Sequence, residues 1–197
     1  MKQLIIFTVL VLLFAMLCGF VPTSEDAMIY DNMVRLHVVA NSNSDEDQAI
    51  KLSVRDAVIE DIGKMVEEAE SAADAANIIS SRVFDIRDMV KAELCRLGCY
   101  DDVVVSISQE SYPTKDYGEI SLPAGKYTSL RIEIGAAQGN NWWCVLYPVI
   151  CTSSAKAGYV LKQTGFSPDQ IKILTDGEKP VYKIKFKILE LIGDRAG

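Results

Sequence analysis

The chain has 197 residues, a formal net charge of −7 and 49% hydrophobic residues. This acidic balance argues against nucleic acid as a partner, because phosphate binding needs clustered Lys and Arg. Anionic lipid surfaces are disfavoured for the same reason.

The first residues have the pattern of an export signal. Lys2 precedes an uncharged, largely apolar run from Leu4 to Val21, and polarity returns at Pro22. The run is at the short end of the length that spans the hydrocarbon layer, so a cleaved signal peptide and a retained membrane anchor both fit residues 1–21. We expect residues 22–32 to be a linker and residues 33–197 a single extracytoplasmic signalling domain. That domain would contact a membrane only through the N-terminal segment.

A strand and a strong helix start follow this segment. Met33–Ala40 is rich in β-branched and apolar residues, which predicts a strand with one well buried face. Ser44 is the expected N-cap of a helix over about Asp45–Ala69, with Asp47 reaching back as in a capping box. The apolar stripe of this helix leaves Lys51 facing water.

The middle of the chain predicts a second helix and several strands. Apolar residues at helical spacing indicate a helix over about Ala73–Leu97, and Gly98 is its natural end. Val103–Ser108 predicts a short strand. Tyr117–Leu122 and Lys126–Gly135 predict a hairpin joined by a Pro-Ala-Gly turn.

The remaining segments complete the predicted architecture. Trp142–Cys151 is nearly all apolar, whereas the weak pattern of residues 152–180 indicates a flexible arm or a mobile insertion. Apolar residues alternate with lysines over Tyr182–Ile188, which predicts a one-sided strand. The sequence therefore predicts an α+β single domain with an N-terminal strand and two long helices packed on a mainly antiparallel sheet with a β-hairpin.

Five cysteines are present, and Cys18 lies in the export signal. Cys144 and Cys151 bracket an apolar segment that contains a proline, and a turn there would bring them together as a disulfide. Cys95 and Cys99 are at helical spacing, with Cα atoms near the upper limit for a bridge. The spacings differ from the usual zinc knuckle, so we predict no metal site and no cofactor.

Catalytic chemistry has little support in the sequence. His37 is the only histidine, and no nucleophile motif accompanies it. The alternating oxygen-bearing residues from Asn41 to Asp47 resemble part of a calcium loop, but Glu46 replaces the required glycine and Leu52 the final glutamate. We therefore predict no catalytic residue and a role in recognition.

Two exposed loops, Asn41–Asp47 and Gly139–Trp143, are the predicted binding surface. Loops on a rigid scaffold commonly carry function, and tryptophans dominate the binding energy of many interfaces. The candidate surface residues are Asn41, Ser42, Asn43, Asp45, Trp142 and Trp143. Adjacent residues of a strand face opposite ways, so at least one tryptophan should contact solvent, a loop or a partner. The alternative is that the turn residues only fold the turn and both tryptophans fill the core.

Several segments resemble, in order, the stage II sporulation protein R family. They are Arg35–Arg55, Tyr112–Thr114, Tyr117-Gly118, Leu122–Tyr127 and Trp142–Pro148. The resemblance covers about residues 34–151. The chain departs from the family pattern in having Tyr147 where a Phe is often found, and Val149 where a second Pro is common.

The resemblance implies a signalling protein and not an enzyme. Members are secreted from the forespore of an endospore-forming bacterium into the space between the two septal membranes. There they activate a membrane-embedded sporulation aspartic protease, which processes the sigma-E precursor in the mother cell. The competing hypotheses are an extracytoplasmic hydrolase that uses His37 and a cell-wall-binding module.

Overall fold

The computed structural model describes residues 3, 6–11, 29–118, 120–150, 157–164 and 166–175. The chain divides into two compact units, one comprising Met1–Ala27 with Glu178–Gly197 and the other Met28–Gly177. In the first unit, residue 3 and residues 6–11 are described, and they are helical. The strand predicted at Tyr182–Ile188 lies outside the described residues. Among the described helices, none is long and apolar enough to cross a membrane.

The second unit is an α+β domain, as predicted. Its elements in chain order are β1 (Val34–Val39), α1 (Asp45–Met65), α2 (Ala72–Ser81), α3 (Val83–Arg96), β2 (Val103–Tyr112), β3 (Lys115–Tyr117), β4 (Ile120–Leu122), β5 (Gly125–Ile134), β6 (Asn141–Tyr147), α4 (Ala157–Gln163) and α5 (Pro168–Thr175).

A four-stranded sheet in the order β2-β5-β1-β6 organises the domain. Strand β1 is parallel to β5 and antiparallel to β6, and β2 is antiparallel to β5, so the sheet is mixed but mainly antiparallel. Strands β3 and β4 form a separate hairpin. The predicted pairing of Tyr117–Leu122 with Lys126–Gly135 is wrong. Strand β5 instead pairs with β2 over their full length of ten residues. This pairing forms more backbone hydrogen bonds than pairing with the three residues of β4 could.

The helices begin and end at recognisable signals. Ser44 caps α1, because its Oγ accepts the Asp47 N–H at 3.1 Å. The second predicted helix is divided into α2 and α3 at Arg82, next to Ser81, whose hydroxyl donates to the Ile78 carbonyl at 2.8 Å. Such side-chain bonds compete with the helical ladder. Gly98 ends α3 as predicted, with a φ of 77°.

Both faces of the sheet are covered. Helices α1, α2 and α3 cover one face and bury a core that includes Leu36, Val38, Val58, Ile62, Ile79, Val90, Leu130 and Ile132. The second core includes Met33, Tyr112, Leu122, Tyr127, Val145, Leu161, Phe166 and Leu174. The prediction of a flexible arm over residues 152–180 is wrong for its described part, because α4 and α5 bury apolar side chains in this second core.

Candidate functional site

The two loops predicted as a binding surface lie against each other. Asn41 joins them through its side-chain amide, which accepts the Ala136 N–H at 2.9 Å and donates to Asp47 at 3.1 Å. Gly135 has a φ of 58°, and a Cβ on it would lie 2.4 Å from the Asn41 Oδ1. A glycine is therefore required here both by the backbone conformation and by the close approach of Asn41.

A second set of bonds closes the same junction. The Asn140 N–H donates to the Asn43 Oδ1 at 2.8 Å, and the Gly139 N–H donates to the Ala40 carbonyl at 2.9 Å. A Cβ at Gly139 would lie 2.2 Å from the Ser42 carbonyl oxygen. We call this contact between residues 40–47 and 135–141 the turn junction. Its polar side chains hold the loops in one shape.

The carboxylate of Asp47 is the centre of the turn. It accepts hydrogen bonds from the Ser42 hydroxyl and the Asn41 amide. The hydrogen bond from Ser42 is the main cause that lowers the pKa of Asp47. The predicted capping box is incomplete. The Ser44 N–H donates to the Ser42 hydroxyl at 3.1 Å, and not to the Asp47 carboxylate. Asp45, in the first turn of α1, is exposed.

Lys51 fixes α1 to the turn junction. The prediction that Lys51 faces water is wrong: it is 4% exposed, and its ammonium donates to the Asn140 carbonyl at 3.0 Å and to the Gln48 side chain at 2.5 Å. Burial lowers the pKa of Lys51. No local pattern indicates this burial, because the acceptor on Asn140 is 89 residues away in the chain.

The two tryptophans lie on opposite faces of β6. Trp142 remains 37% exposed, and the Arg55 guanidinium lies 4.3 Å from the centre of its ring. Trp143 is half-buried against the second core, with ring centres 5.8 Å from His37 and 6.1 Å from Tyr112. The structure therefore brings Trp142 close to the turn junction at the start of β6 and directs Trp143 elsewhere.

His37 is part of a polar network on the second face of the sheet. Its Nε2 lies 2.9 Å from the Asn141 Oδ1, and its Nδ1 lies 3.1 Å from Arg131 Nη1 and 3.3 Å from the Glu110 carboxylate. Arg131 also donates to Glu110 at 2.9 Å and to Glu133 at 2.7 Å. Burial opposes ionisation of Glu110, but hydrogen bonds from Ser129 and Arg131 hold its pKa below the usual range.

A buried arginine is the feature that the sequence did not reveal. Arg35 is 0% exposed, and its guanidinium carbon lies 4.2 Å from the ring centre of Tyr112, 4.9 Å from that of Tyr127 and 5.6 Å from that of Tyr117. We call this group the Arg35 cage. Arg35 Nε donates to the Cys144 carbonyl at 3.0 Å, and Nη2 donates to the Tyr117 hydroxyl at 2.6 Å. An arginine inside an apolar strand was the available signal for a special environment.

The aromatic rings of the cage replace a carboxylate. In the described part of the chain, no acidic group forms an ion pair with Arg35, and its Nη1 has no hydrogen-bond partner. Stacked tyrosine faces stabilise a guanidinium through cation–π attraction, which is strongest where water is excluded. Burial in turn raises the pKa of Tyr112 and Tyr127.

The cysteines fall into two groups. Cys95 and Cys99 are free thiols, whereas Cys144 is disulfide-bonded. Cys151 lies outside the described residues, so its pairing with Cys144 stays a prediction. Among the described residues, no group of His, Cys, Asp and Glu is arranged to hold a metal ion.

The segments that carry the family resemblance meet at the Arg35 cage. Arg35, Tyr112, Tyr117, Tyr127 and the carbonyl of Cys144 each come from a different one of these segments. Residues that are far apart in the chain thus form one structural unit around the central strand.

The comparisons agree with this pattern. The family model described as stage II sporulation protein R matches residues 30–157. The stage II sporulation protein R of Bacillus subtilis (strain 168) is 35% identical over 140 residues, which are 71% of this chain and 62% of that protein. No solved structure matches the chain. The matched region contains β1 to β6 and so the cage, the polar network and the turn junction. The chain therefore belongs to the stage II sporulation protein R family.

Proposed function

We propose that this chain is a secreted sporulation signal that activates a membrane-embedded aspartic protease and thereby starts processing of the sigma-E precursor in the mother cell. Family membership supports this role. The observation that carries it is the arrangement around the Arg35 cage. The family segments meet there around the central strand, and the first and last of them also carry Asn41, Asn43 and Trp142 of the proposed surface.

The proposed site of action is the space between the two septal membranes, which the chain reaches by secretion from the forespore. The N-terminal segment from Leu4 to Val21 supports export. A narrow compartment raises the effective concentration of a secreted domain, so a signal can occupy its receptor without turnover. Activation then requires that the domain binds the active arrangement of the protease better than the inactive one.

We place the activating surface at the turn junction and the adjoining stack of Trp142 on Arg55. The turn junction is held by the side chains of Asn41, Ser42 and Asn43. Because these side chains are engaged in hydrogen bonds within the domain, they set the shape of the surface and do not themselves bind the partner. Trp142 combines an exposed ring with a cation at 4.3 Å. An aromatic ring and an arginine are the residue types that most often carry binding energy when a partner covers them.

The geometry of His37 favours recognition over hydrolysis. His37 is 7% exposed, and both ring nitrogens have partners in Asn141, Arg131 and Glu110. A general base needs a nitrogen within reach of a substrate proton. Hydrolysis of cell-wall polymer by the purified chain, abolished by His37→Gln in a folded protein, would contradict the proposal.

The test is coexpression of the full chain with the candidate protease and the sigma-E precursor in a host that does not sporulate. We expect processing with the wild type and a loss of processing with Trp142→Ala, at equal secretion and thermal stability. Phe84→Ala is the matched control, because Phe84 is also exposed and lies 5.5 Å from an arginine, Arg87, on α3. Normal processing by Trp142→Ala would move the activating surface elsewhere, and no processing by the wild type would reject the function.

A further inference from the structure

Strand β2 is a long and unguarded edge of the sheet. It occupies one end of the order β2-β5-β1-β6, has ten residues, and pairs with β5 without a break in register. Val103–Gln109 contains no charged residue and no proline. Natural sheets usually protect an edge with charges, prolines or bulges, because an open edge is a template for another strand.

The opposite edge strand, β6, has features that β2 lacks. Strand β6 has a register irregularity in its pairing with β1, next to Val34 and Arg35. The Tyr117 hydroxyl donates to the Trp143 carbonyl at 3.1 Å, and Arg35 donates to the Cys144 carbonyl at 3.0 Å. The two edges of the sheet therefore differ: in the part of the chain that the structure describes, β2 has neither a register irregularity nor a side chain that donates to its outward carbonyls.

The direction of the backbone groups of β2 follows from one bond. The Gly135 N–H donates to the Asp102 carbonyl at 2.8 Å, so Asp102 points toward β5. Because backbone groups alternate along an antiparallel ladder, Val103, Val105, Ile107 and Gln109 direct their N–H and C=O groups away from β5. Within the part of the chain that the structure describes, these outward groups have no hydrogen-bond partner.

The side chains along this edge are also incompletely covered. Val105 and Ile107 pack at the margin of the first core and remain partly exposed. Val104, on the other face, is 57% exposed. A strand added to β2 would bury these apolar groups while it satisfies the outward backbone groups.

We propose that two copies of this chain pair through β2, antiparallel, about a two-fold axis at Ser106. In this register Val105 lies opposite Ile107 of the second copy, and Val104 opposite Ser108 of the second copy. Apolar residues meet on the face that continues the first core, and no charge opposes another across Val103–Gln109. This self-complementarity of the edge is the argument for a second copy as the occupant.

At each end of the pairing Asp102 lies opposite Glu110 of the second copy, and each of these carboxylates has a cation of its own chain beside it. Asp102 lies 3.8 Å from the ammonium of Lys91, and Glu110 accepts from Arg131 at 2.9 Å. The pairing stretch itself, Val103–Gln109, has no charged side chain. A dimer of this kind would present two turn junctions at once. The inference does not depend on the proposed function, because it concerns the edge of the sheet alone.

A cysteine placed at the axis tests the register. In the full chain carrying Cys95→Ser and Cys99→Ser, Ser106→Cys would face its own copy in a non-hydrogen-bonded pair. The Cα atoms would then be about 4.5 Å apart, which suits a disulfide. Ser108→Cys is the matched control, since it faces Val104 of the second copy. We expect mild oxidation to give a covalent dimer with Ser106→Cys and little with Ser108→Cys on a non-reducing gel. Equal cross-linking of the two variants, or none in either, would overturn the proposal.

Substitutions of opposite charge at Ser106 provide an independent test of the dimer. Ser106 lies opposite Arg131 on β5, so Ser106→Glu gains a cross-strand partner within its own chain and still repels its own copy. In sedimentation measurements we expect the wild type to dimerise, Ser106→Glu and Ser106→Lys each to lose the dimer, and their mixture to recover it. A wild type that is monomeric at every concentration, or single variants that dimerise as well as the wild type, would overturn the proposal.

Discussion

Arg35 in β1 and Tyr117 in β3 are joined by a 2.6 Å hydrogen bond between the guanidinium and the phenol, although they are 82 residues apart in the chain. The same phenol donates to the Trp143 carbonyl at 3.1 Å. One hydroxyl therefore connects the central strand, the small hairpin and the edge strand β6. This makes Tyr117 a sensitive position for the stability of the domain.

Tyr117→Phe removes this hydroxyl and leaves the ring in place. The variant deprives a buried guanidinium of one acceptor, and a buried donor without a partner costs about 1–3 kcal/mol. We expect the free energy of unfolding to fall by about 2 kcal/mol in chemical denaturation. Tyr100→Phe is the control: Tyr100 is 84% exposed, so its stability should stay within about 0.5 kcal/mol of the wild type. A Tyr117→Phe variant as stable as the control would show that the cage does not need the bond.

Gly139→Ala should destabilise the turn junction. The added Cβ would lie 2.2 Å from the Ser42 carbonyl oxygen, and neither loop backbone can retreat without breaking the hydrogen bonds between them. We expect a loss of about 2 kcal/mol or more, comparable with overpacking of a core. Gly63→Ala is the matched control, because a Cβ on Gly63 meets nothing within 4 Å in helix α1. That substitution should raise stability by about 0.4–1 kcal/mol, as thermal unfolding of both variants would reveal.

The stability of the domain should depend on pH through Asp47. The pKa of this carboxyl is lowered from its usual value of 3.8, mainly by the Ser42 hydrogen bond. A carboxylate with a lowered pKa stabilises the fold above its unfolded pKa, and that contribution is lost as the pH falls through the folded pKa. We expect Ser42→Ala to weaken the loss of unfolding free energy that occurs as the pH falls from the usual pKa through the lower folded pKa. Ser108→Ala, at a remote exposed serine, should leave the dependence as in the wild type. Identical pH profiles for the two variants would contradict the assignment.

The disulfide of Cys144 should join it to Cys151. Cys144 is disulfide-bonded, Cys95 and Cys99 are free, and a short closed loop across Pro148 would stabilise the chain by roughly 2 kcal/mol. Peptide mapping of the unreduced protein by mass spectrometry should recover a peptide pair that links Cys144 with Cys151. Recovery of Cys151 as a free thiol would dispose of this pairing.

Local signals predicted the elements well. The Ser44 cap and the Gly98 stop depend on residues within one turn of the helix end, and both are present in the structure. The two predicted loops, Asn41–Asp47 and Gly139–Trp143, are in contact through the bond from the Asn140 N–H to Asn43, and their role as a binding surface stays a prediction. The alternation along β6 also predicted that Trp142 and Trp143 face opposite ways.

Contacts between segments far apart in the sequence could not be predicted from these local signals. Helical spacing alone placed Lys51 toward water, because its acceptor belongs to a loop far along the chain. The pattern of β1 predicted one well buried face, whereas all six residues of the strand are buried, with Arg35 among the tyrosines of the cage. The partner of β5 was mistaken for the same reason, since strand pairing over long distances is decided by tertiary packing.

The position of β1 in the sheet sets the order in which a growing chain can fold. Although β1 begins at Val34, its neighbours are β5, where Val34 pairs with Thr128, and β6, where Val34 pairs with Tyr147. None of the described strands between β1 and β5 along the chain is hydrogen bonded to β1. Folding of such non-local topologies is slow, because a long loop must close before its contacts form. Strand β1 therefore pairs with residues more than ninety positions later, and a chain interrupted before β5 has the three helices but lacks the four-stranded sheet on which they pack.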